Sequence, residues 1–161
     1  MGEQVHTQMD MLEKCLECKK NLLMQLLEQT REQEAVLNTE PFSEQAFEAI
    51  MASKAEMLDL LQKYDQGFET TFGKIKATVI ADKEAYRAQV ERMQRLISEV
   101  TDIGVKIQAL EQQNKRKLEL YLSSKKGQIK NFNVNNRTVA NYYKTMSAAS
   151  RGEAYFMDKK S

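Results

Sequence analysis

The sequence lacks most of what would interrupt a helix or build a reactive centre. It has no tryptophan, one proline, six glycines, two cysteines and one histidine in 161 residues. Glycine and proline together fall well below their average share of roughly 12%. With so few breakers the elements should be long and uninterrupted, which favours helices. The single histidine cannot supply two Glu-x-x-His pairs of a di-metal bundle. There is no GxSxG, HExxH, P-loop or GxGxxG pattern. No enzyme, cofactor or metal is therefore expected.

The two cysteines, Cys15 and Cys18, form one C-L-E-C pair. A structural zinc site takes four ligands. No second CxxC exists, and His6 lies nine residues before Cys15, about 13 Å along a helix. Two small apolar helical positions are the plain reading; a dimer pooling two pairs is the alternative. Reduced thiols suit a cytoplasm. The opening MGEQVHTQMDMLEKC has neither a basic stretch nor an apolar one, so it does not read as a secretory signal. The longest apolar cluster, Leu22–Leu27, is far short of the ~18 residues that cross a bilayer, and no membrane insertion is expected.

What is present is amphipathic and charged. Hydrophobic residues make up 42%, charged residues 29%, and the net charge is +1. That near-neutral total hides a gradient: net −6 over residues 1–80 and net +6 over residues 123–161. The acidic front and the basic end can meet within one molecule.

The spacing of apolar residues marks three helical stretches. In the first, about 3–37, Val5, Met9, Leu12, Cys15, Leu16, Leu23, Leu26, Leu27 and Thr30 recur at three- and four-residue intervals. It would be about 50 Å long. Asn38 to Pro41 ends it, because proline disfavours the α region for its predecessor. Ser43 can cap a second helix, with Ala46 at the third position. That helix, about 44–76, buries Phe47, Ile50, Met51, Lys54, Met57, Leu58, Leu61, Tyr64, Phe68, Phe72 and Ile75. Gly67 and Gly73 weaken its last turns by about 1 kcal/mol each unless a packed neighbour needs the space. Thr78 to Asp82 reads as a connection: the β-branched run is a weaker helix former, and Asp82 can cap the third helix. In that helix, about 83–130, Tyr86, Val90, Met93, Ile97 and Val100 keep four-three spacing, and Ile103, Ile107 and Leu110 continue it. Straight, it would reach about 70 Å. The predicted fold is all-α: three long antiparallel helices in a coiled-coil-like bundle over 1–131, with a partly ordered tail over 132–161.

That tail region opens with five asparagines among residues 131–141 and holds five of the twelve aromatics. Asparagine competes for backbone hydrogen bonds and favours turns, whereas disordered segments are usually poor in aromatics. A docking segment is one reading; Tyr142 and Tyr143 folding back as ordinary core is the other. Lys115, Arg116, Lys117, Lys125, Lys126 and Lys130 could contact phosphates. No nucleic-acid motif surrounds them and the rest of the chain is acidic, so no nucleic-acid partner is expected. Nine methionines suit either core filling or an adaptable binding surface.

In order and length these patterns resemble the FlgN/FliT-type export chaperones of bacterial flagella, especially forms from Gram-positive bacteria. The segment IMASKAEMLDLLQKYDQGFETTF is similar to that family's second helix, with Lys54, Leu58, Leu61, Asp65 and Phe68 in order. MQRLISEVTDIGVKIQALEQQNK is similar to its third, with Leu96, Ile97, Ile107, Glu111 and Asn114. The ending, with Tyr142, Tyr143, Tyr155, Phe156, Asp158, Lys159 and Lys160, is like the family's tail. The acidic first helix matches only in general character. The resemblance implies a cytoplasmic chaperone that binds a late flagellar subunit, a hook-associated or filament-cap protein, and delivers it to the export apparatus. It implies that Leu96, Ile97, Val100, Ile103, Ile107 and Leu110 offer a groove for an amphipathic partner helix. Tyr142, Tyr143, Tyr155 and Phe156 would lock the client or occupy that groove when it is empty. The other reading of the same helices is a structural coiled-coil or adaptor protein that self-associates, for example as a homodimer, without handing off a client.

Overall fold

A computed structural model describes residues 2–124 together with Glu153, Tyr155 and Phe156. Its architecture is an all-α, three-helix bundle, with α1 over Gly2–Leu37, α2 over Glu44–Ala81 and α3 over Arg87–Ser124. A short 3-10 turn, Lys83–Tyr86, leads into α3. Among the described residues there is no strand.

The α1–α2 corner forms where the proline places it. Ser43 has extended dihedrals and its hydroxyl accepts a hydrogen bond from the Ala46 amide at 3.2 Å, satisfying one orphan donor of the first turn. Phe42 on this corner lies 4.2 Å from the Tyr121 ring and 5.8 Å from that of Phe47, closing one end of the bundle.

At the other end the expected connection is absent. Helix α2 continues through Thr78, Val79 and Ile80 to Ala81. Val79 explains the difference: it is buried with Val5, Phe72 and Tyr86, and that packing outweighs the modest helix cost of a β-branched side chain. Asp82 does not cap with its side chain; its amide donates to the Thr78 carbonyl at 3.2 Å. Gly67 and Gly73 have open space where a Cβ would stand, so no packed neighbour requires either. The stretch 125–130, expected as the end of the third helix, lies outside the described residues.

Helix α1 is the spine. Pairs along it fix the directions: Glu13 meets Arg92 at 3.1 Å and Glu34 meets Lys117 at 3.7 Å, so α3 runs parallel to α1. Lys19 meets Asp65 and Gln29 meets Ser53, each at 2.8 Å, so α2 runs antiparallel to it. The α2 and α3 backbones approach each other far less than either approaches α1. Two apolar clusters follow the spine. One joins Met9, Leu12 and Leu16 to Phe68, Phe72, Ile75, Met93 and Ile97. The next joins Leu22, Leu23 and Leu26 to Leu58, Leu61, Val100 and Ile107. Beyond them sits a polar layer built on Thr30, Gln33, Lys54, Glu111 and Asn114. No described helix is long and apolar enough to cross a membrane.

Candidate functional site

Because α2 and α3 stand apart, a cleft runs between them over α1. At the end where α2 turns into α3, that cleft is filled from far away in sequence. Glu153, Tyr155 and Phe156 are helical and lie in it. The Phe156 side chain is 0% exposed. Its ring stands 5.0 Å from that of Phe72 and edge-on, at 84° and 6.2 Å, to that of Phe68. Tyr155 packs on Phe72 at 5.4 Å and is half-buried. The Phe68–Phe156 pair is edge-on, an arrangement that adds about 0.5–1.5 kcal/mol beyond the area it buries. The Gln94 amide of α3 donates to the Phe156 carbonyl at 2.7 Å.

The floor of the cleft is charged. Lys19 of α1 is only 1% exposed, and its Nζ donates to Asp65 Oδ1 and to Glu153 Oε2, both at 2.8 Å. Burial by itself depresses an ammonium; here the Glu153 and Asp65 carboxylates outweigh burial and hold Lys19 above its usual range. Neighbouring Cys15 donates its thiol proton to the Tyr64 carbonyl at 3.2 Å. Burial, reinforced by the Asp65 charge, pushes that thiol up to about 11, which leaves it a poor nucleophile at neutral pH. Cys18 is exposed. Among the described residues no three of His, Cys, Asp and Glu come together as a metal site.

Beside Phe156 the cleft stays open. A hollow of about 350 Å³ lies between α2 and α3, lined by Val79, Arg87, Val90, Glu91 and Gln94 as well as Tyr155 and Phe156.

The expected partner residues divide. Ile97, Val100 and Ile107 are 3%, 1% and 0% exposed and belong to the bundle's own core. Packed on α1, they are not a free groove. Leu96 and Ile103 are half-buried at the margins of the two clusters, and Leu110 is also half-buried. One apolar stripe can serve a core or a partner, and here the spine helix takes it. Tyr155 and Phe156 do come together with the bundle. Tyr142 and Tyr143 lie outside the described residues.

Sequence reasoning missed Lys19, Gln94 and Glu153 as parts of a site. A signal for Lys19 was present: it stands three residues after Leu16 and four before Leu23, in the buried register. Its charge hides that register, because lysines are rarely buried unless paired. Glu153 carried no local signal, as one acid within a basic stretch. The expected pairing of an acidic front with a basic tail is reversed in the described contact: the tail supplies a carboxylate and α1 the lysine.

No protein-family model, curated protein or solved structure matches this chain.

Proposed function

We propose that this protein is a cytoplasmic export chaperone for a late flagellar subunit, a hook-associated or filament-cap protein. It holds the subunit's amphipathic helical terminus out of assembly and passes it to the export apparatus. One observation carries the reading. A cleft between α2 and α3 holds the helical residues Glu153, Tyr155 and Phe156 of this same chain, remote in sequence from its walls. A site closed by a tethered segment can be opened by a better helix. The resemblance of motif order names the kind of client.

Energetics suit a hand-off. Burying one phenylalanine gives about 1.5–3 kcal/mol, and ordering the segment that carries it costs part of that. The tether holds the segment at an effective concentration on the order of millimolar. A client helix therefore displaces it without needing extreme affinity, and can leave again.

Mixing the full chain with C-terminal fragments of hook-associated and cap proteins, with mass measurement of the products, tests the reading. A defined complex is expected, and removing residues 132–161 should tighten it while the helical content of residues 2–124 persists. A chain that forms only a symmetric oligomer and takes up no fragment would instead support the self-associating adaptor.

A further inference from the structure

The cleft distinguishes among helices, and the seated residues show by what chemistry. Glu153 and Phe156 are three residues apart, so they project from one face of a helix turn. That face meets two different receivers. The carboxylate reaches Lys19 at 2.8 Å. The ring enters the space between Phe68 and Phe72. Gln94 holds a backbone carbonyl, which any sequence can offer, so it adds affinity without preference. Lys19 supplies the selectivity, because it is buried beneath the occupant. An apolar group seated over it would take away solvent without returning an acceptor, and a buried donor left short of partners is costly. A hollow of about 350 Å³ adjoins Tyr155 and Phe156.

We propose that this cleft selects partner helices that carry a carboxylate and, one turn later, an aromatic ring, with Lys19 reading the carboxylate and the Phe68–Phe72 pair reading the ring. The partner class rests on the chaperone reading; the selectivity rests on the cleft alone.

The test uses the full-length chain carrying Glu153→Gln and Phe156→Ala, which weakens its own occupant, and a fluorescent peptide of residues 147–161. Binding is followed by anisotropy. The wild-type peptide should bind, and the peptide with Glu153→Gln should bind roughly 10- to 100-fold more weakly, the range a charged hydrogen bond spans. Adding Lys19→Met to the chain should close that gap, and Lys19→Arg should keep most of it. Equal binding of the two peptides, a gap that survives Lys19→Met, or no binding of either peptide overturns the proposal. A second measurement needs no weakened chain. In the otherwise native protein, Glu153→Gln should speed amide hydrogen exchange at Tyr155 and Phe156 by a similar factor, and unchanged exchange also overturns it. Unlabelled flagellar subunit termini added as competitors separate the two ideas. If peptide selectivity holds and none of them competes, the chaperone reading falls and the cleft's chemistry stands.

Discussion

Among the described residues two lysines are buried, and they live under different terms. Lys54 lies in the polar layer of the bundle, donating to Glu111 and, at 2.6 Å, to Gln33. All three groups belong to the permanent helices. Lys19 lies under the cleft, and one of the carboxylates it meets, Glu153, arrives on a segment remote in sequence. Burial wins at Lys54 and holds its ammonium below the usual range despite Glu111. At Lys19 two carboxylates reverse that balance. A buried ion pair is weak evidence for stability, and its best-attested use is to fix one arrangement. Lys54 fits that use: with Asn114, which donates to the Thr30 carbonyl at 3.0 Å, it sets the register of all three helices. Lys19 is instead placed to register whether the cleft is occupied.

The sharpest way to break this comparison is to remove one carboxylate from each lysine. Glu111→Ala leaves a buried ammonium inside a closed interface and should cost about 3–5 kcal/mol in urea unfolding. Glu153→Ala should cost less, at most about 1.5–3 kcal/mol, the range of a charged hydrogen bond, because the segment can leave and admit water while Asp65 stays beside Lys19. Equal losses would mean that both lysines belong to one permanent core.

Alkaline titration sharpens the same contrast. Lys19 is raised above its ordinary 10.5. The folded state then holds the proton more tightly, so the stabilisation is fully present below pH 10.5 and is lost as pH rises through the folded value. Lys54 is lowered below its ordinary 10.5. The unfolded chain then binds more protons in that window, so the penalty is full below the folded value and is relieved as pH rises toward 10.5. Urea midpoints measured from pH 8 upward for wild type, Lys19→Met and Lys54→Met should show slopes of opposite sign assigned to the two lysines. Parallel curves for the two variants would remove the distinction.

How much of this could be read from the residues differs between the two regions for a physical reason. Lys54 sits in an apolar stripe of its own helix and was legible there. The all-α bundle and the Ser43 cap on Ala46 were legible too, because period and capping are local. The continuation of α2 past Lys76 was not, since the burial of Val79 against Val5 and Tyr86 is a tertiary fact that overrides propensity. The groove expected from Ile97, Val100 and Ile107 became core because spacing marks an apolar face without saying what covers it. Glu153 was the least legible residue: its partner is 134 positions away, and no pattern around it announces the pairing.

The smallest effect concerns the stretch of α2 that carries the cleft. Gly67 and Gly73 flank Phe68 and Phe72, and a Cβ at either would meet open space. Neither glycine has a packing role to lose, so each lowers the helix's stability through the extra backbone freedom it gives up on folding. Gly67→Ala and Gly73→Ala should each add about 0.5–1 kcal/mol in urea unfolding. The Lys54 half of the same helix has no glycine, so local opening should be easier at the cleft than at the polar layer. Hydrogen exchange along α2 checks this directly. In wild type, amides near Phe68 and Phe72 should exchange faster than those near Lys54, and the double alanine variant should narrow the difference. If the gradient persists unchanged, the mobility of the cleft wall comes from its detachable occupant rather than from its glycines, and the variant with Glu153→Gln and Phe156→Ala should then be the one that moves it.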